Sequence, residues 1–423
     1  MTYPTISAAL RENRYHIAYF LQPFLLFFFH YELQTAALWR PAYFHTLALD
    51  VAKKELRVLA DYPAPFNASW VEPAASQGDI DHLVGLSEGT ESGLLYTFEI
   101  NHAQKACRTT SQQQTRGAPA HFITLRDRSA IALATYLGGS VAIYPIRTDT
   151  DTGVALLRDD AHTEILPDFP YASACHGPNR KDRQRQCHVH QVLEDRQGQL
   201  YAPDLGSDRV WILSQRKDET KLELEISGWL QCPPGTGPRH AVLAPDELSH
   251  TVIAFDLSAA PTDAGPAAAA ISIPPIQGFA PNIIPATVPP THHSRMNSAE
   301  ICLHPAIPNV IYASNRWERH IAQREPQLQE IRIPTESPAG DAIAILLLSD
   351  DSRTVVGMKH VRTSLDVIRG MRLSDDGRYV VLAGQEGGGV EVYEISGEKG
   401  EVWTLVAGLN EGLDGGLKHA VWL

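Results

Sequence analysis

Short runs of alternating apolar and polar residues recur along this chain, and each opens on a polar or charged side chain. Pro119-Ala120-His121-Phe122-Ile123, His188-Val189-His190-Gln191-Val192, Pro238-Arg239-His240-Ala241-Val242, Ser298-Ala299-Glu300-Ile301-Cys302 and Ile368-Arg369-Gly370-Met371-Arg372 share this form. Successive copies stand about 50 to 70 residues apart. The fullest copies continue through a turn into a second run. From Arg369 the chain passes Asp375-Asp376-Gly377 into Tyr379-Val380-Val381-Leu382-Ala383, and from His188 it passes Gln197-Gly198 into Leu200-Tyr201-Ala202-Pro203-Asp204-Leu205. A period of two predicts strands, and glycine-bearing breaks between such runs predict hairpins. Repeats of this length built from short strands predict an all-β ring of blades, a β-propeller.

Working outward from the clear copies gives seven blades in a single domain over 1–423. Tyr43 to Asp50 and Glu55 to Asp61 read as outer strands of blade one, after an atypical segment over 1–42. Asn67 to Glu72, Asp81 to Leu86 and Gly93 to Ile100 begin blade two. Blade three starts at His121 and continues through Ala130 to Thr135 and Ser140 to Ile146. Blades four to seven start at His188, Arg239, Glu300 and Arg369. Lys418-His419-Ala420-Val421-Trp422-Leu423 repeats the opening phrase once more, so this last strand is expected to pair with N-terminal strands of blade one and close the ring. Two long insertions, 159–186 and 259–295, lead into strands with candidate site residues and are expected at the rim or as lids.

Ile17 to Phe29 is strongly apolar, follows Arg11 and Arg14, and precedes Thr35-Ala36-Ala37, the outline of a signal-peptide core. It is too short to span a bilayer. Cleavage would remove Tyr15 to Phe20, which blade one needs as a strand, so a packed insertion within that blade is the preferred reading. The chain is 43% hydrophobic and 20% charged, as expected of a soluble globular protein. Its net charge of −13 argues against nucleic acid as a partner, and no membrane partner is expected. A small anionic ligand remains compatible, because clustered arginines can oppose the overall sign. Five scattered cysteines give no disulfide framework and point to a reducing, cytoplasmic setting. Whether the chain forms a homo-oligomer is left open.

In a propeller the innermost strands all start at one end of the channel, so the repeated His, Arg and Glu are expected to converge there. The phrases His188-Val189-His190-Gln191, Tyr201-Ala202-Pro203-Asp204-Leu205-Gly206-Ser207-Asp208-Arg209-Val210, Gly237-Pro238-Arg239-His240, Glu247-Leu248-Ser249-His250-Thr251-Val252 and Tyr312-Ala313-Ser314-Asn315-Arg316 resemble those of the seven-bladed lactonase family. That family includes propeller-type 6-phosphogluconolactonases and fungal carboxy-cis,cis-muconate lactonizing enzymes, and the spread of insertions resembles the fungal branch. The resemblance implies catalysis by a His from His188-Val189-His190, by Arg239, Glu247 and Arg316, with no metal or organic cofactor. The residue types suit that chemistry independently. Arginine grips carboxylates and phosphates through paired hydrogen bonds, histidine moves protons near neutral pH, and a carboxylate can orient the imidazole or act as base.

Each assignment also has a plainer reading. His188 and His190 share a strand face, so one of them can simply bond a neighbouring blade. Arg239 can bridge blades, and Arg316 stands at a strand end where surface arginine is common. His121, His240, Glu300 and Arg369 share the inner-strand position and are expected to line the channel and contact substrate. Cys175-His176 with Cys187 and the paired histidines offers zinc ligands, but the spacing fits no compact site and no metal is expected. Gly384 to Gly389 lacks the Lys-Ser/Thr of a phosphate loop and reads as a hairpin turn.

One departure from the family pattern touches the site. After Ala244-Pro245-Asp246 a glycine turn and an apolar strand should precede the Glu-Leu-Ser phrase, yet Glu247 follows at once, so the second strand of blade five is missing. The leading expectation is lactone-ring chemistry on a small anionic substrate, foremost closure of a carboxymuconate. Hydrolysis of a phosphorylated sugar lactone is the alternative, and a non-catalytic interaction scaffold is the competitor from another class.

Overall fold

The computed structural model describes residues 14–20, 43–149, 155–158, 162–174, 177–178, 183–217, 222–241, 244–245, 252–255, 271–293, 295–319, 338–410, 413 and 416–423. Glu247, Cys175 and His176 lie outside them, as does the apolar segment beyond Phe20.

Blade seven shows why the alternating pattern folds as it does. Asp366–Leu373, Tyr379–Gly387, Val390–Ser396 and Val402–Leu409 form one antiparallel sheet in chain order. On the second strand Tyr379, Val381 and Ala383 pack with Leu47 and Leu49 of blade one, whereas Val380 and Leu382 pack with Ile343 and Ile345 of blade six. A strand whose two faces meet two neighbours must be apolar at every position, which is what its sequence shows. Gly388 and Gly389, both at positive φ, make the turn into the third strand, as the glycine run predicts.

Seven sheets are present among the described residues. Seven apolar clusters join them pairwise, from blades one and two around to blades seven and one. The ring is therefore continuous by packing. Phe122, fully buried between blades two and three, typifies the contribution: its truncation to Ala would remove about 3–5 kcal/mol. Closure is as expected. The last strand, Ala420–Trp422, pairs with Arg14–Phe20 (Tyr19 opposite Ala420), and Arg14–Phe20 pairs in turn with Tyr43–Asp50. Both chain ends thus share blade one, and no inner edge is left unpaired there.

Three features differ from the sequence reading. Blade four has no regular inner strand at His188: only a Val189–Asp204 bridge and Leu193–Glu194 pair with its neighbour. Pro203 opposite has no N–H to give, so the ladder is interrupted there. Among the described residues blade five is a two-stranded sheet in which Val252–Ile253 takes the second-strand place, pairing with Ala244–Pro245. Val252–Ile253 thus stands where the sequence reading left a strand missing. Finally, the described part of 259–295 is not a lid. Ile271–Ile273 adds a parallel strand to the outer edge of blade four, while Phe279 and Ile283 are buried between blades five and six, because these apolar residues supply the area that thin blade five lacks. In the other insertion Thr163–Ile165 pairs with blade three, and Arg183 reaches the rim, donating from Nε to the Tyr136 hydroxyl (3.0 Å).

Candidate active site

The inner strands of blades three, six and seven bring His121, Glu300 and Arg369 to the axis, and the irregular inner segments of blades four and five bring His190, Arg239 and His240. The ring of His190 lies 5.1 Å from that of His240, which is 6.3 Å from His121. Trp70 packs on His121 at 4.5 Å and on His419 at 3.8 Å. All four histidines are buried. Burial, reinforced by the Arg372 charge, pushes His121 down to about 3; burial together with Arg239, His240, Arg369 and Arg316 holds His190 well below the ordinary imidazole range. Both shifts favour the neutral form of the His121 and His190 imidazoles near neutral pH.

Glu300 behaves oppositely. Burial pushes its carboxyl up to about 7, against the lowering effect of Arg239, Arg369, Arg316 and Arg372. Four guanidinium groups from blades five, six and seven thus act on one carboxyl; Arg239 and Arg369 hold the repeated inner position, whereas Arg316 ends a second strand and Arg372 lies three residues past Arg369. His240 Nε2 lies 3.8 Å from its Oε1, beyond hydrogen-bond length.

His188 and His190 divide as the plainer reading allows. The His188 ring stacks on Tyr136 at 4.4 Å, and its Nδ1 donates to the Tyr136 carbonyl (2.8 Å), so it is tied to blade three. His190 turns toward His240 and the axis. The acidic residues of the Asp204-Leu205-Gly206-Ser207-Asp208 phrase hold this region in place. Asp204 accepts from the His188 N–H (2.6 Å), Trp211 Nε1 (2.9 Å) and the Ser207 hydroxyl. Asp208 accepts from the N–H groups of Gly235 and Gly237, each at 2.8 Å, and thereby fixes the loop that delivers Arg239.

Arg316 and Arg369 share a comparable anchor. Arg316 is buried and donates from Nη2 to the Ser298 carbonyl (3.0 Å). Just past it Trp317 has φ 80°, and two residues before Arg369 Val367 has φ 59°, a conformation that a β-branched side chain rarely takes. Asp341 accepts the N–H groups of both, at 3.1 and 2.8 Å, and that of Arg319 at 3.1 Å. The strain, about 1–3 kcal/mol per residue, is held by this one carboxylate.

Sequence reasoning passed over Glu88, Lys418, His419, Arg372 and Glu72. Glu88 pairs with Arg369 and Lys418, while Glu72 receives both guanidinium arms of Arg372 at 3.2 and 2.7 Å. The signal for Lys418 was present: Lys418-His419-Ala420-Val421 matches Arg239-His240-Ala241-Val242 in register and type. A cavity of about 670 Å³ runs from Trp70, His121 and Glu300 along the inner strands to Leu303 and Asp375.

The family described as lactonase, 7-bladed beta-propeller, matches residues 40–412. The chain belongs to the seven-bladed lactonase family. Like that family, it is an enzyme acting on lactones. A protein of Arthroderma benhamiae named a probable 6-phosphogluconolactonase is 26% identical over 369 residues, covering 84% of this chain and 81% of the relative. Among solved structures, a periplasmic gluconolactonase of Pseudomonas aeruginosa superimposes with TM-score 0.65 at 18% identity, covering 97% of this chain and 99% of that one. A Lactobacillus plantarum protein does so with TM-score 0.67 at 18% identity and the same coverage. At such identity these two structures establish the lactonase fold alone. No helix among the described residues is long and apolar enough to cross a membrane.

Proposed function

We propose that this lactonase hydrolyses the ring ester of a small anionic sugar lactone, a 6-phosphogluconolactone type of substrate. The observation that carries the reading is the set of guanidinium charges from Arg239, Arg316 and Arg369 focused on one buried spot beside His190 and Glu300. Such a cluster, in a chain of net charge −13, is suited to a phosphate or carboxylate. Arg239 and Arg316 would hold the anion and stabilise negative charge developing on the lactone carbonyl oxygen. Neutral His190 would position the attacking water, whereas His188 is already engaged by Tyr136.

Closure of a carboxymuconate, the leading expectation from sequence, needs the same anion clamp. Hydrolysis is preferred here because the relative from Arthroderma carries a 6-phosphogluconolactonase name. The deciding experiment incubates purified protein with 6-phosphogluconolactone, following acid release, and with 3-carboxymuconate, following ultraviolet loss. Acceleration of the first supports the proposal. Acceleration of the second alone assigns a cycloisomerase, and a folded protein inert to both excludes these two substrates.

A further inference from the structure

We propose that Glu300 is a proton-transferring carboxyl of this site; the inference rests on the hydrolytic reading above. Three structural observations carry it. Glu300 sits on the inner strand of blade six, with its backbone N–H held by the Ser314 hydroxyl at 2.9 Å, so the carboxyl is aimed by a fixed strand. It lines the axial cavity, from which water can reach it. Unlike Glu72 and Glu88, whose carboxylates are engaged by Arg372 and by Arg369 with Lys418, it makes no ion pair within hydrogen-bond distance among the described residues. The groups facing it are His240, the guanidinium charges of Arg239, Arg316, Arg369 and Arg372, and the Cys302 thiol, with His121 beyond His240.

The chemistry balances. Ionised Glu300 takes a proton from water as the water oxygen bonds to the lactone carbonyl carbon. The tetrahedral oxyanion then collapses, the ring C–O bond breaks, and the same proton passes from Glu300 to the departing ring oxygen. Glu300 returns to the carboxylate, and the new acid releases its proton to solvent. A carboxyl with its pKa pushed up to about 7 by burial is a stronger base than an ordinary one and still largely ionised just above neutrality. His190, whose basicity is lowered by burial and the neighbouring guanidinium charges, is a poorer candidate for this task.

The test compares pH profiles of kcat/KM on 6-phosphogluconolactone for the wild type, Glu300→Gln and Glu300→Asp. The expected result is a wild-type limb with an apparent pKa near 7. Glu300→Gln should lose that limb and about 10²- to 10⁴-fold in rate. Glu300→Asp, which keeps a carboxyl and guards against a folding defect, should retain the limb at reduced rate. An active wild type whose Glu300→Gln variant keeps both rate and limb overturns the assignment of Glu300 while leaving the lactone reading intact. A wild type inert toward the lactone overturns that reading, and this inference with it.

Discussion

The carboxylate of Glu88 bridges two cations, with Oε1 2.8 Å from Arg369 Nη2 and Oε2 3.7 Å from Lys418 Nζ. Glu88 belongs to blade two, Arg369 to blade seven and Lys418 to the segment leading into the closing strand, so one side chain clasps the seam of the ring. Burial works against ionisation of Glu88, but the two cations win and hold it down to about 2. Burial also brings Lys418 down to about 8, despite the raising effect of Glu88. Replacing Glu88 by Ala leaves two cations without their shared counter-charge. The expected loss of stability is about 3 kcal/mol or more, read from urea midpoints at constant slope.

Arg239 and Arg316 are expected to differ from their neighbours in kinetics rather than stability. Arg239→Ala should lower kcat/KM by orders of magnitude with unchanged circular dichroism, and Arg239→Lys should recover only part of it, because the two-armed grip is lost. Unchanged kinetics in the alanine variant would remove the clamp from the mechanism.

The two histidines of blade four are expected to separate cleanly. His190→Gln should impair turnover on a folded protein. His188→Gln, which loses the bond to the Tyr136 carbonyl, should show mainly a lowered melting temperature. A reversed pattern would mean that the stacked ring, not the axial one, meets substrate.

Asp341 offers a test of positioning at a distance. Burial raises its carboxyl to about 7, against the hydrogen bonds that it accepts from the Arg319 and Val367 N–H groups. Asp341→Ala strands three N–H groups and releases two strained residues, so a loss of about 3 kcal/mol is expected. KM should rise as well, since Arg316 and Arg369 flank the released backbone. A stability loss with unchanged KM would show that the anchor serves the fold alone.

Acid sensitivity follows from the neutral histidines. The folded-state value of His121, about 3, lies below its unfolded value near 6.5. Between these values the unfolded chain binds more protons, so the stability contributed by this group is present above about pH 6.5 and is lost as pH falls toward 3. Glu300 and Asp341, both raised to about 7, act in the opposite sense: their contribution is lost as pH rises through that value. Comparison with His121→Gln isolates the histidine. The wild-type advantage should shrink by up to about 1.4 kcal/mol per pH unit on acidification below pH 6. A pH-independent difference between the two proteins would contradict a buried neutral His121.

The chain by itself determined the blades, because a strand packed on both faces must be apolar throughout and must end at a turn; Tyr379 to Ala383 carries that requirement in five residues. It also determined the kinds of side chain at the channel, since Arg239, Glu300 and Arg369 occupy the same place in successive repeats. Tertiary structure alone decided which of them are committed elsewhere. His188 and His190 are indistinguishable in a phrase where both lie on one strand face, and only the position of Tyr136 in the neighbouring blade separates them. Glu88 and Asp341 carry no local signal, because their partners stand as far as 330 positions away in the case of Lys418 and are brought near by ring closure. Charge is likewise a collective property. Whether a buried carboxyl such as Glu300 keeps its proton depends on desolvation and on four arginines from three blades, and no stretch of sequence contains that sum.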